Sequence, residues 1–217
     1  YNRQIQWDKL YYVNQHLQTG SDAMYYIQAK HNDQLAINLT SSLRINLTKH
    51  STYNVGVNLS TNKGLHYQTM EDLLGASTYH NINTYALGTY ASSSNEVQYD
   101  LNHPNQVISE GDKFGYNYNI FVNKANAWMG YTLDKGIFHS FINAKIGGTN
   151  MQREGKMRNG LAANNSYGKS GTAHFLDGGA KIGTNINMGR GNTIVLGAGY
   201  EWIAPLASTA FASPEIN

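Results

Sequence analysis

Two-residue alternation of apolar and polar side chains dominates the chain, and it comes in paired runs. From Leu35 to Leu47 the odd positions are Leu35, Ile37, Leu39, Ser41, Leu43, Ile45 and Leu47. The even ones are Ala36, Asn38, Thr40, Ser42, Arg44 and Asn46. Alternation of this period puts successive side chains on opposite faces of an extended strand. After Thr48-Lys49-His50 the pattern resumes with Tyr53, Val55, Val57 and Leu59 against Asn54, Gly56, Asn58 and Ser60, which predicts a hairpin. A second hairpin is predicted around Asp134-Lys135-Gly136, with Ala125, Ala127, Met129, Tyr131 and Leu133 before the turn and Phe138, Ile142, Ala144 and Ile146 after it. A third turns at Gly189-Arg190-Gly191, between Leu176, Ala180, Ile182, Ile186, Met188 and Ile194, Leu196, Ala198, Tyr200, Trp202. All three turns are short and rich in glycine or polar residues, as tight hairpin connections require.

Between these hairpins the periodicity fades. Residues 62–115 and 148–171, and the opening residues 1–34, read as long polar connections. Within the first, Thr69 as N-cap, Asp72 three residues on, Leu73, Leu74 and a closing Gly75 predict one short helix. Residues 23–30 could supply a seventh strand. Loops of this length are uncommon in compact soluble domains and tend to carry function.

Strand length and charge placement suggest which solvent the apolar faces meet. Thirteen residues at ~3.3 Å each, tilted by ~45°, cover about 30 Å, the thickness of a bilayer's hydrocarbon core. The strands' charged residues, Arg44, Lys124, Lys145, Asp177, Lys181 and Glu201, all fall on the polar parity. A lysine or arginine facing lipid costs about 2–4 kcal/mol at the midplane, so this bias has a direct cause. Tyr53, Tyr131 and Phe138 share the apolar parity near the short turns, and Tyr200 and Trp202 hold it at the far end of the last strand, where two aromatic girdles would stand. The expected fold is all-β: an antiparallel transmembrane β-barrel segment of about six strands, in three hairpins with short periplasmic turns and long extracellular loops. A soluble secreted sandwich is the competing reading, and it would have to bury six long apolar faces. One phase conflict stands out. Tyr116, Tyr118, Ile120 and Val122 are apolar at even positions, whereas Ala125 to Leu133 are apolar at odd ones. Either a β-bulge lies near Asn123, or the strand leaves the bilayer there and continues outside it.

Composition narrows the classes further. Charged residues make up 14% of the 217 residues, against roughly 25% in ordinary soluble domains. The absence of cysteine excludes a disulfide framework and thiolate metal sites. No run of about 18 apolar residues offers a transmembrane helix, and the first residues have no basic region followed by an apolar stretch. A net charge of +2 with no basic block gives no surface for nucleic acid. Closed barrels need about eight strands or more, so six strands with two open edges, beginning and ending in loops, are expected to be part of a larger barrel spanning residues 1–217 and beyond.

The loop phrases Thr69-Met70-Glu71-Asp72-Leu73-Leu74-Gly75-Ala76, Asp100-Leu101-Asn102-His103-Pro104-Asn105, Glu110-Gly111-Asp112-Lys113-Phe114-Gly115-Tyr116, Arg153-Glu154-Gly155-Lys156-Met157-Arg158-Asn159-Gly160 and Asn165-Ser166-Tyr167-Gly168-Lys169-Ser170, in this order, resemble the barrel region of TonB-dependent receptors of Bacteroidetes-type bacteria. The resemblance runs from about Trp7 to Asn217, and Ala204-Pro205 to Ser213-Pro214 resembles the loop that leads into that family's next strand. It implies a barrel of about 22 strands in the cell outer membrane of a Gram-negative bacterium. It also implies a plug domain, TonB box and closing strand that lie outside these residues. The partners it implies are outer-membrane lipid, the TonB–ExbB–ExbD system, a surface lipoprotein and a small nutrient ligand: an iron complex, haem, cobalamin, a glycan or a peptide. A complete small porin- or adhesin-like barrel without energy coupling is the alternative.

Candidate site residues follow from that picture. Arg44, Lys124, Lys145, Asp177, Lys181 and Glu201 are candidates to line the lumen. Trp7, Asp8, Tyr11 and Tyr12, an aromatic loop segment, and Arg153, Glu154 and Arg158, in a charged loop with Lys156, are candidates to touch ligand outside the cell. The eight histidines are scattered without metal-ligand spacing, so no metal and no cofactor are expected. No nucleophile elbow, phosphate loop or paired-carboxylate constellation suggests an enzyme.

Overall fold

The computed structural model describes residues 4–211. Six long strands form one antiparallel sheet: β1 (Ile27–Thr48), β2 (Ser51–Asp72), β3 (Lys113–Lys135), β4 (Phe138–Gly155), β6 (Ala173–Gly189) and β7 (Asn192–Trp202), with a two-residue β5 (Gly168–Lys169) pairing only to β4. The order is β1-β2-β3-β4-β6-β7, each strand beside its neighbour in sequence apart from β5. The sheet is open, with β1 and β7 at its edges. Helix α1 (Trp7–Gln15) precedes it and a single-turn α2 (Ala207–Ala210) follows it. No helix among the described residues is long and apolar enough to cross a membrane, which says nothing of strands.

The three hairpins turn where the alternation places them, between β1 and β2, β3 and β4, and β6 and β7. Arg190 and Gly191 both take positive φ in the last of these, the twist that a tight hairpin needs. The strands themselves run further than the alternation suggests. β1 and β2 are 22 residues each and β3 is 23, so residues 27–34, 62–72, 113–115 and 148–155 are strand rather than loop. Residues 27–30, expected in a separate seventh strand, are the start of β1.

The short helix expected at Thr69 does not form. Thr69 pairs with Ala29 on one side and Lys113 on the other, and that ladder consumes the backbone groups a helix would use. Beyond it, the Asp72 carboxylate accepts the Leu74 amide at 2.6 Å, and Leu74 and Gly75 take positive φ. This closes an Asx turn in place of a helix.

Residues that face one another across an antiparallel ladder share a side of the sheet. One row runs Arg44–Asn54–Gly130–Asn143–Lys181–Gly199, and another Gly56–Trp128–Lys145–Gly179–Glu201. With Lys124 opposite Ser60 and Asp177 opposite Gly147, the six residues Arg44, Lys124, Lys145, Asp177, Lys181 and Glu201 therefore lie on one face. The opposite face carries the apolar set, through rows such as Leu43–Val55–Met129–Ala144–Ala180–Tyr200. It has no cover: Leu35 is 59%, Leu39 62% and Ile182 59% exposed. Glycines let aromatic rings lie flat across the sheet, with Trp128 over Gly56 and Trp202 over Gly178, where a Cβ would come within 2.6 and 2.3 Å of the rings.

No bulge exists at Asn123. It pairs with Thr61 and Asn150 in unbroken register, and the only shift between β2 and β3 comes beyond Tyr67, where Gly115 at φ +71 takes up the irregularity. The phase change is instead an exchange of character between the two faces. On the turn side of Asn123 one face is apolar and the other charged. Past it, the formerly apolar face carries Lys63, Asn119, Asn123 and Asn150 among Leu65 and Phe121, and the formerly charged face carries Tyr118, Ile120, Val122 and Met151 beside Arg153.

The buried core sits among the long connections. Ala23, Met70, Tyr79, Ile108 and Phe114 cluster there, with Tyr26, Leu73 and Ala76 against them. Burial pushes the Tyr79 phenol well above the ordinary tyrosine range. Asn14 of α1 fastens the opening segment to this core. Its amide donates to the carbonyls of Tyr25 at 2.6 Å and Leu73 at 2.8 Å, and its carbonyl accepts the Met24 and Tyr25 amides. The connections are thus a folded ledge, not irregular loops.

Candidate functional site

Of the six charged strand residues, the fold gathers five. Lys145 on β4 and Glu201 on β7 form an ion pair across Gly179 of the intervening β6, with Lys181 beside them around a shared hollow. Lys124, Lys145 and Asp177 line a second cavity of about 710 Å³, with Asn58, Ser60, Asn62, Asn126 and Trp128. Arg44 stands apart on the edge strand β1, four strands from its row partner Lys181. Asp177 accepts the Thr149 hydroxyl and the backbone amide of Ala204. That second bond draws the chain after β7 across the charged face, so that residues 203–207 close one side of the larger cavity.

The second candidate group does not come together as expected. Trp7, Asp8, Tyr11 and Tyr12 lie on helix α1, not a loop. Leu10, Val13 and Leu17 carried the helical spacing, and the buried polar Asn14 interrupted it. Tyr11 donates to Asp72 at 3.0 Å, so its hydroxyl is spent on the ledge. Trp7, Asp8 and Tyr12 remain exposed, with Tyr12 stacked on His16 at 4.0 Å.

Arg153 and Glu154 belong to β4, not to a loop. Arg153 is only 3% exposed; its guanidinium donates to the Ser166 carbonyl at 3.0 Å and lies 5.0 Å from the Tyr118 ring. It is an internal tie between the end of β4 and the connection that follows it. Glu154 takes Lys156 at 2.9 Å and Asn119 at 3.1 Å. Arg158 donates through Nε to the Ala163 carbonyl, and its backbone amide reaches Asp100 at 2.9 Å.

Sequence reasoning passed over Asp100 and Asn159 to Ser166, which lock the two connections together. Buried Asp100 also accepts the Asn102 amide at 3.1 Å and His103 Nδ1 at 2.9 Å. Leu101 donates to the Arg158 carbonyl at 2.7 Å, and Gly160 to the Gln98 carbonyl at 2.8 Å. Only the phrase Asp100-Leu101-Asn102-His103, an acid followed by turn-forming residues, hinted at this.

A third constellation opens on the face that becomes apolar past Asn123. His66, Tyr118, Ile120 and Val122 line a cavity of about 380 Å³ with Asn32, Gln34, Asn62 and Gly64. His66 stacks on Tyr118 at 4.9 Å. Among the described residues no three His, Cys, Asp or Glu side chains converge to hold a metal ion. No protein-family model matches the chain, and no curated protein matches it.

Proposed function

We propose that this chain is part of the wall of an outer-membrane β-barrel receptor that imports a nutrient ligand with energy from the TonB–ExbB–ExbD system. One observation carries the membrane half of that reading. The sheet leaves a broad apolar face uncovered and keeps Arg44, Lys124, Lys145, Asp177, Lys181 and Glu201, between the tight turns and the face exchange, on the other. In water such a face would be a site of aggregation; against lipid it is the stable arrangement.

Geometry supports the same reading. Along the row from Arg44 to Gly199, the distance to the nearest tight turn grows from about five residues on β1 and β2 to about nine on β6 and β7. That is about one residue per strand. With ~3.3 Å per residue and ~4.8 Å between strands, level turns require a tilt of about 35°, the tilt of closed barrels. The face exchange at Asn123 then falls about 12 residues, roughly 30 Å of height, from the turns. Trp202 stands at that same height on β7, as a second girdle would. Above it the wall turns polar towards the outside and apolar towards the ledge.

Receptor function and TonB coupling rest on the loop phrases, on a folded ledge at one end only, and on the charged inner face. Cells lacking the receptor, cells lacking TonB and cells lacking both are grown on limiting iron complexes, haem, cobalamin, glycans or peptides. The expected result is that all three strains lose growth on the same nutrient. A defect in the receptor mutant that TonB removal does not reproduce identifies a passive pore and overturns the active-uptake reading.

A further inference from the structure

The apolar run Tyr116–Tyr118–Ile120–Val122 is out of place in a polar lumen. Below Asn123 the inner face is mostly amide, hydroxyl and charge, with Trp128, Phe141 and Phe175 as isolated rings among them; above it Ile120 and Val122 stand next to each other along the strand, are only half-buried and border open space. Tyr118 is buried between the Arg153 guanidinium and the His66 ring, which fixes one end of the shelf. Among the described residues no lysine, arginine, aspartate or glutamate lines the cavity. Its volume of about 380 Å³ lies in the range of small-molecule sites, roughly 300–1,000 Å³.

The chain itself shows what fits. After Asp177 fastens Ala204, the strap continues through α2, and Ala207, Ser208 and Phe211 form the remaining wall of this same cavity. An aromatic side chain of the protein therefore borders the same cavity as this shelf of aliphatic and aromatic residues. The strap is lightly held. Among the described residues its backbone-to-backbone bonds are local, from Thr209 and Ala210 to Leu206 and from Phe211 to Ala207, and Leu206 is 75% exposed.

We infer that the Ile120–Val122 shelf is a subsite for an uncharged, ring-sized apolar group of the ligand, and that Phe211 occupies it until such a group arrives. The inference rests on the barrel reading, which places the shelf at the inner mouth of the pathway. It narrows the ligand to one with an aromatic or aliphatic side group, a property that the charged cavity below does not select. Burying such a group against Ile120, Val122 and Tyr118 supplies binding energy in proportion to the apolar area removed from water.

The test uses the full-length protein in nanodiscs, with N-acetylphenylalanine amide as probe and N-acetylglycine amide as control. Binding is read by saturation-transfer NMR against empty nanodiscs. If Phe211 covers the shelf in about nine molecules of ten, Phe211→Ala raises the probe's apparent affinity about tenfold. Adding Val122→Asn returns the signal to the empty-nanodisc level, and Tyr85→Ala alone, at a side chain 91% exposed in the long connection between β2 and β3, leaves the wild-type value. An inserted protein in which Phe211→Ala changes nothing, or in which Val122→Asn leaves the gain intact, overturns the inference alone. A protein that does not enter nanodiscs overturns the barrel reading and this inference with it.

Discussion

Replacing Val55 by arginine is expected to cost about 2–4 kcal/mol of folding stability in a lipid bilayer, whereas arginine at the adjacent Asn54 costs less than about 1 kcal/mol. The two residues are neighbours in sequence but lie on opposite faces, Val55 in the row with Leu43 and Met129 and Asn54 in the row with Arg44 and Lys181. Val55 stands about halfway between the first turn and the face exchange, where a charge is furthest from either interface. A guanidinium there has no lumen to reach and must thin the bilayer or drag water inward. At Asn54 it joins a face that already holds Arg44 and Lys181. Urea titrations of folding into lipid vesicles measure both. Equal costs at the two positions would mean that both faces meet the same medium.

The second large effect is expected at Gly155, where β4 ends against the ledge. A Cβ there would lie 1.7 Å from the Ser166 carbonyl oxygen, a backbone atom that no rotamer change can move. Ser166 is almost wholly buried. Its carbonyl takes the Arg153 guanidinium, and its hydroxyl accepts the Asn159 amide at 2.9 Å. Gly155→Ala therefore pushes apart the contact that closes residues 156–172 onto the strand end, at about 1–3 kcal/mol or more by the measure of overpacked cores. Limited proteolysis reads the result, with cleavage within 156–172 accelerating several-fold while the strands stay protected. Unchanged cleavage would show that the ledge does not depend on this close approach. The strands' protection should hold because their pairing lies elsewhere.

What the sequence made legible follows from how local each signal is. The hairpins between Leu35 and Trp202 were readable because a period of two, with charge confined to one parity, survives in a single chain. The strand ends were not. Residues 62–72 and 148–155 lose their alternation where the two faces exchange character, so a ladder that continues without a break looks like loop. The same exchange made Asn123 look like a bulge, although the irregular residue is Gly115. Helix α1 was hidden because its inward position is Asn14, whose burial is satisfied by Met24, Tyr25, Leu73 and Leu74 from other segments. That Lys124, Lys145, Asp177, Lys181 and Glu201 share one face was legible from parity alone. Arg153 was misplaced because its partners, Tyr118 and Ser166, come from separate elements. The cavity under Phe211 could not be read at all, since it depends on a strap crossing the sheet.

Site-directed spin labelling along β2, from Tyr53 to Tyr67, in the full-length protein reconstituted into lipid tests the membrane-wall claim most directly. Collisions with oxygen report lipid, and collisions with a water-soluble nickel chelate report water. A barrel wall predicts lipid exposure at Val55, Val57 and Leu59 alternating with aqueous or protected values at Asn54, Gly56 and Asn58. From Thr61 onward, Lys63 and Tyr67 should report water instead. Aqueous values at Val55, Val57 and Leu59, or an alternation that runs unchanged past Thr61, would contradict it.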